Sequence, residues 1–398
     1  MIFELDMIQT TALAVVVLLV GQFIRKRVNA LEKFCIPAPV IGGLIFAILS
    51  LVLKQTGILE FNFDGTLKKV LMTAFFTTVG FTASFKLLKK GGVQVLAFLG
   101  LATILVTLQN VVGVSLAKVF GLNQLLGLST GSVPMTGGHG TSGAFAPLFE
   151  NAGASGATTV AMASATFGLI CGSMLGGPIA KRLIEKNNLL KTSKKLDSDE
   201  KVSTTEKVAS TLIPENFFSA AMQIIIAMGL GTILSALLQK TGMTFPPYIG
   251  AMFAAAIMRN MSDAMESYKL PSEEIDILGN ISLSLFLAMA LMGLKLWQLA
   301  DLAGPMLAML VAQAVLMATF AYFVTFNLMG RNYDAAVLAG GHCGFGMGAT
   351  PNAIANMEAI SSKYGPAPAA FFIIPLVGSL FIDFFNAGII TFFMNLVK

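Results

Sequence analysis

Apolar runs, most of them near twenty residues long, recur along the chain and are separated by short polar segments. About 20 consecutive apolar residues is the length of a helix that crosses a bilayer. The pattern therefore predicts helical spans at 8–24, 37–53, 70–88, 93–117 and 157–180, and again at 217–238, 246–258, 278–296, 304–328 and 369–394. The span 246–258 is short and follows Pro246-Pro247, so an earlier or irregular start is expected there. None of these runs shows the short alternation of a membrane barrel strand.

Segment 181–216 is the one long polar stretch, and its Lys191–Lys201 portion has the composition of a flexible linker. It separates a first unit, 1–180, from a second, 217–398, with five spans in each. Matches line up across it. Pro39-Val40-Ile41-Gly42 resembles Pro247-Tyr248-Ile249-Gly250 at an offset of 208, and Gly172-Ser173-Met174 resembles Gly378-Ser379-Leu380 at 206. Five spans is an odd number, so a second copy enters the membrane from the opposite side, the inverted repeat common in secondary transporters.

A third match is richer. Met135-Thr136-Gly137-Gly138-His139-Gly140-Thr141-Ser142-Gly143 returns as Ala339-Gly340-Gly341-His342-Cys343-Gly344-Phe345-Gly346, with the histidines 203 apart. Each run lies between the fourth and fifth spans of its unit. Glycine loses backbone entropy in a helix, so both runs are expected to break the helix. Broken backbone at membrane depth is tolerated only where protein buries it or a watery cavity borders it. Two re-entrant hairpins are therefore expected, over 122–149 and 334–357, the first dipping in from outside and the second from inside.

Composition agrees with an all-α integral membrane protein. The 398 residues are 55% hydrophobic and 12% charged, with mean hydropathy +0.78, against about 25% charged in a soluble domain. With the N-terminus outside, the inner loops hold 19 lysines and arginines and the outer loops 7. The positive-inside rule then places both termini in the periplasm and the linker in the cytoplasm. The basic excess sits in loops and implies no nucleic acid. Glu4 and Asp6 precede the first span and Arg25-Lys26-Arg27 follow it, the reverse of a cleaved signal peptide. Cys35, Cys171 and Cys343 stand in apolar contexts as small buried residues.

Candidate chemistry gathers at the hairpins. Thr136, Gly137, Gly138, His139, Gly140, Thr141 and Ser142 in the first, with Gly340, Gly341, His342, Gly344, Gly346, Thr350 and Asn352 in the second, are the candidate binding residues. A broken helix offers N–H groups at one new end and carbonyls at the other. The first attract carboxylates and the second suit sodium. The alternative reading of membrane glycine is close helix packing, as for Gly176-Gly177. His139 and His342 admit a metal, a proton-relay or a neutral hydrogen-bonding role; no metal-ligand spacing accompanies them, and the neutral role fits best. Asp383 is the one carboxylate placed inside a span. Its burial costs about 2.5–3.5 kcal/mol on insertion scales, which points to function: a meeting with a sodium ion or an ammonium group. Asn386 shares its helix face. Asn280, Ser282, Ser284 and Thr77-Thr78 are possible polar linings, although such hydroxyls often bond back to their own helix.

Several segments resemble one family. Asn280 to Trp297, Asn332 to Gly346, Ala349 to Met357 and Gly137-Gly138-His139-Gly140 are similar to the bacterial sodium/glutamate symporters, and the similarity extends over essentially the whole chain. It implies sodium-coupled uptake of L-glutamate across the inner membrane by alternating access. It also implies ten spans with two re-entrant hairpins, as in the related citrate symporters, and a homodimer among membrane lipid working as an elevator. The sodium ion would be the coupling ion, held among the hairpin carbonyls and Asp383, with no further cofactor. Another small carboxylate as substrate, or a channel, remain the competing readings. An enzyme does not fit, since no nucleophile–base pair or paired carboxylates lie at depth.

Overall fold

The computed structural model describes residues 2–189, 214–240, 245–265, 270–299 and 302–397. The polar core of the expected linker therefore lies outside the described residues. The described residues of the chain are predominantly helical. Its first unit holds α1 (Met7–Arg27), α2 (Asn29–Lys33), α3 (Ala38–Gln55), α4 (Thr66–Thr82), α5 (Phe85–Lys90), α6 (Gly92–Val119), α7 (Gln124–Leu128), α8 (Gly138–Asn151) and α9 (Ala157–Lys186). Its second holds α10 (Pro214–Gln239), α11 (Pro247–Ala264), α12 (Ser272–Met292), α13 (Ala303–Leu328), α14 (Tyr333–Gly346), α15 (Thr350–Tyr364), α16 (Pro368–Leu380) and α17 (Ile382–Val397). One small sheet was not legible in the apolar pattern: β1 (Ile2–Leu5) pairs in parallel with β2 (Glu60–Phe63), Ile2 opposite Glu60 and Leu5 opposite Phe63.

Local chemistry sets several ends. The Asp6 carboxylate accepts from Gln9 N at 2.8 Å while Asp6 N donates to the Gln9 side chain at 3.2 Å, a capping box that starts α1. Arg25, Lys26 and Arg27 close its last turn, where cations suit the helix dipole. Pro37 and Pro246 cap α3 and α11, each with a further proline in the first turn. Asn332 caps α14, its side chain accepting from Ala335 N at 2.8 Å.

Seven helices among the described residues are long and apolar enough to cross a membrane, and α16 with α17, bent by 45°, forms an eighth if taken as one span. The ten expected spans are thus met only in part. Helix α4 begins at Thr66 and ends at Thr82, short of the expected 88, because the backbone turns at Ala83-Ser84 into α5. The tenth span is broken at Phe381 rather than continuous.

Packing sorts the helices into two groups. One group is α1, α3, α4, α10, α11 and α12, held by three apolar clusters around Leu287 and Leu291, around Phe81 and Ile275, and around Val17 and Met289. The other is α6 to α9 with α13 to α17, built on the largest cluster, around Leu105, Phe345 and Ile374. The ring of Tyr248 on α11 stacks on Phe76 of α4 at 4.4 Å and meets Phe145 of α8 edge-on at 5.5 Å, which joins the groups.

Within the first group the same device appears twice. A Cβ on Gly42 would lie 2.0 Å from Val17 O, and one on Gly250 would lie 2.2 Å from Gly231 O. Helices α1 and α3, and likewise α10 and α11, touch backbone to backbone. In lipid, where apolar burial does not drive helices together, such small-residue contacts supply much of the attraction. Gly42→Ala and Gly250→Ala should each destabilise the protein by about 1–3 kcal/mol, the usual cost of overpacking. Gly229→Ala, beside open space on α10, should be neutral. Thermal unfolding in detergent compares the three; equal midpoints would remove the packing role.

Candidate functional site

Both glycine-rich runs were expected to interrupt the helix, and both prove largely helical. Gly340, Gly341, Gly344 and Gly346 lie inside α14, and Gly138 to Gly143 open α8. The breaks fall beside them, at 347–349 in the second hairpin and over the irregular turns 129–137 in the first. Packing outweighs propensity here. A Cβ on Gly172 of α9 would lie 2.8 Å from Cys343 O, one on Gly176 would lie 2.5 Å from Gly340 O, and one on Gly344 would lie 2.5 Å from Ala353 Cα. The second run's glycines let α14 lie against α9 and α15, the packing role expected only for pairs such as Gly176-Gly177. Gly177 itself faces open space.

The two breaks meet. Gly138, at φ +60, forms the tip of the first hairpin, and a Cβ there would lie 3.3 Å from Gly348 O at the tip of the second. The first turns of α8 and α15 thus start at one place, with helix N-termini on both sides of it. The N–H groups of His139 and Gly140 donate to no backbone carbonyl, as first-turn donors do.

A buried polar network holds this junction. Gln109 on α6 donates to Gly346 O at 2.6 Å, and Thr136 lies 2.9 Å from Gln109 Oε1 and 3.3 Å from Gly346 O. Gln313 on α13 donates to Gln109 O at 2.8 Å. Ser132 N donates to Asn110 Oδ1 at 2.9 Å, and the Ser132 hydroxyl donates to Asn386 Oδ1 at 2.7 Å. The Asn386 amide returns a bond to Ser132 O at 3.2 Å. Helices α6 and α17 therefore grip the irregular limb of the first hairpin from both sides. The second hairpin is anchored to α9: Asn352 Nδ2 lies 2.6 Å from Ser173 Oγ, and Asn356 Nδ2 lies 2.9 Å from Gly172 O. Asn352 Oδ1 is buried with no hydrogen-bond partner among the described residues.

The histidines are not brought together. His139 Nε2 lies 3.0 Å from Thr166 Oγ1, whose own proton goes to Met162 O at 3.1 Å, so the ring nitrogen is the donor. His342 is enclosed by Phe98, Phe320 and Phe345, with ring centroids 4.9, 5.9 and 5.0 Å away. Its Nδ1 lies 2.9 Å from Thr325 Oγ1, a residue that the π turn at Phe320–Thr325 swings inward. That cage lies between α6 and α13, so His342 shapes α14 rather than lining the junction. Gly341 likewise packs on Met357 and Ile374. The Ser142 hydroxyl bonds back to Gly138 O at 2.7 Å. Thr141 is buried beside Gly137, and the Thr350 hydroxyl packs close to Gly378.

Asp383 stands in the first turn of α17, immediately after the bend, half-buried and with no hydrogen-bond partner among the described residues. A helix N-terminus favours its negative charge. The carbonyl of Leu380, freed at the bend, accepts from Thr82 Oγ1 of α4 at 3.0 Å. Thr77 and Thr78 bond back to their own helix at 2.7 Å and do not line the site.

The family model described as sodium/glutamate symporter matches residues 3–366. A sodium/glutamate symporter of Escherichia coli (strain K12) is 45% identical over 99% of this chain and 98% of its own length. One from Haemophilus influenzae is 40% identical over 96% and 95% respectively. The chain belongs to the sodium/glutamate symporter family. In this symporter chain the glycine junction is the structural centre, and Gln109, Gln313, Asn110, Ser132 and Asn356 are members that motif reading missed. One signal was available: Gln109 and Gln313 are 204 apart, the spacing of the glycine runs to within one residue.

Gly138 and Gly153 both have positive φ, but only Gly138 has a neighbour within 4 Å. An L side chain in that conformation costs about 1–2 kcal/mol at either position. Gly138→Ala should in addition push the hairpin tips apart and lower uptake of the family's substrate at least tenfold. Gly153→Ala should keep near-normal uptake. Parallel uptake assays on the two variants, matched for membrane abundance, check this.

Proposed function

We propose that the chain is a multi-pass inner-membrane carrier that moves L-glutamate inward together with sodium ions, and that the site is the junction where the two hairpin tips meet. The meeting of Gly138 with Gly348 between two helix N-termini carries this reading. Convergent N–H groups suit the carboxylates of glutamate. Carbonyl oxygens at the adjoining breaks, with Asn352 Oδ1 and the half-buried Asp383, suit a hard cation such as sodium. The hairpin backbone is fixed through carbonyls that Gln109, Asn386 and Asn356 hydrogen-bond, so it needs little reorganisation on binding.

The two helix groups support an elevator motion. The α6–α9 and α13–α17 group carries both hairpins, and its face toward the other group is smooth: Gly140 abuts Phe75 and Leu283, and Gly143 abuts Phe286. Few polar ties cross that face. They include Thr82 to Leu380 O at 3.0 Å and Asn352 to Phe34 O at 3.2 Å. A rigid-body slide of the hairpin group past the other, an elevator, exposes the junction to each side in turn. The charge bias of the loops supports periplasmic termini and a cytoplasmic linker. The paired Gly42 and Gly250 contacts, and the paired glutamines, support two inverted repeats. A homodimer in the membrane completes the reading.

Uptake of radiolabelled glutamate into proteoliposomes should require an inward sodium gradient. Equal accumulation with potassium or a proton gradient alone would refute the coupling. Asp383→Asn should abolish this uptake while leaving expression and elution from a sizing column intact. Normal uptake in that variant would reduce Asp383 to a structural residue.

A further inference from the structure

A cavity of about 220 Å³ that shares no lining residue with the hairpin junction is walled by β2 and the ends of α3, α4 and α12. Lys54, Lys68 and Lys295 all line it. Lys54 is already engaged: its Nζ lies 2.5 Å from Glu60 Oε1 and 4.1 Å from the ring centroid of Trp297. Lys68 and Lys295 form no ion pair among the described residues. Asp64, also on the wall, accepts from the Thr66 N–H at 2.7 Å and keeps its negative charge. The wall therefore carries three lysines against Glu60 and Asp64, a net charge of +1, over a floor at Met289 and Met292 that is apolar and buried. An anion held by Lys68 and Lys295 gains charge-assisted hydrogen bonds there.

We propose that this cavity is a second binding site, taking a small free dicarboxylate of the same class as the transported substrate. Its size limits the class, since pockets for drug-sized ligands run to about 300–1,000 Å³; this one suits a compact ligand such as a short dicarboxylate. Next to it, and sharing Asn62 and Asp64, lies a wider recess lined by Glu4 and Asp6. That recess offers the ammonium of an amino acid an acidic wall while its carboxylates meet the lysines. The position is also suggestive of capture. Gly156, which leads from the first hairpin into α9, would bring a Cβ within 3.4 Å of Gln298, the neighbour of Trp297. The cavity thus opens on the side where the first hairpin enters and leaves. Anions held there raise the local substrate concentration at that mouth. The choice of ligand rests on the glutamate reading above; the cavity's chemistry does not.

Trp297 is the one tryptophan in the chain, and it lines this cavity, so its fluorescence reports directly on occupancy. The full-length protein is placed in phosphatidylcholine nanodiscs in sodium-free choline buffer and titrated with L-glutamate at constant ionic strength. A saturable change in Trp297 emission is expected, and it should persist in Asp383→Asn. Lys68→Gln combined with Lys295→Gln should weaken the apparent Kd at least tenfold, while the charge-preserving pair Lys68→Arg and Lys295→Arg should retain the response and controls for folding. Absence of any change, or a wild-type response in the glutamine pair, overturns the proposal. A response that needs sodium and vanishes in Asp383→Asn also overturns it, because Trp297 would then be reporting the hairpin junction. So does a response produced by phosphatidylglycerol nanodiscs alone and not by glutamate, which would make the ligand a lipid headgroup.

Discussion

Everything at the centre of this protein depends on how closely one helix backbone can approach another. Helix α9 presents Gly168, Gly172 and Gly176 at one-turn spacing, and α14 lies on that stripe with its Met347, Gly344 and Gly340 carbonyls within a side chain's reach. A membrane interior offers no hydrophobic drive to bring helices together. Dispersion across a close contact takes its place, and it acts only where no Cβ intervenes. The approach delivers the break at 347–349 to the tip of the opposite hairpin. It also brings Asn352 and Asn356 within reach of α9 carbonyls and hydroxyls. Larger side chains along the stripe would withdraw the second hairpin from the junction.

That constraint explains where sequence reasoning succeeded and where it did not. An all-helical membrane chain and the region of the two matched glycine runs were legible from composition and spacing alone, although seven helices, or eight with the bent pair, stand where ten spans were expected. The glycines were noticed for the right region and given the wrong local role. Isolated-helix propensity argues that Gly340 to Gly346 breaks the chain, but those residues are helical because α9 and α15 fill the space that side chains would occupy. Propensity differences of about 1 kcal/mol per glycine are small beside the packing of a buried helix. The break at Phe381 had no comparable signal; the carbonyl it frees, Leu380 O, lies 3.0 Å from the hydroxyl of Thr82, nearly three hundred residues away, which also has Val79 O at 2.8 Å. Gln109 and Ser132 were likewise unremarkable in the sequence. Their importance comes from partners on other helices, and only the repeat spacing of Gln109 and Gln313 hinted at it. Asp383 stood out because charge at depth is rare whatever its neighbours.

The division into two helix groups gives the polar network a second meaning. Gln109, Gln313, Asn110, Asn386, Ser132 and Asn356 all bond within the hairpin group, where they fix the tips relative to each other. Across the boundary to the other group, glycines, aromatic rings and isolated hydrogen bonds predominate. A junction held rigidly inside one body and loosely against the next can move without losing its shape. The aromatic contacts of Tyr248 with Phe76 and Phe145 mark where that boundary is tightest.

The π turn in α13 sets a reading frame. An α-helix advances about 100° per residue, 3.6 residues to the turn, and a π turn admits one residue more than that phase allows. Deleting a single residue within Phe320–Thr325 would restore regular winding and leave the flanking turns in phase, because the π turn already absorbs one residue. The residues inside the turn would shift instead, and the contact of Thr325 with His342 would be lost. A single deletion elsewhere in α13 would rotate everything beyond it by roughly 100°. A library of single deletions along α13 would therefore show Phe320–Thr325 as more permissive than the regular turns before it.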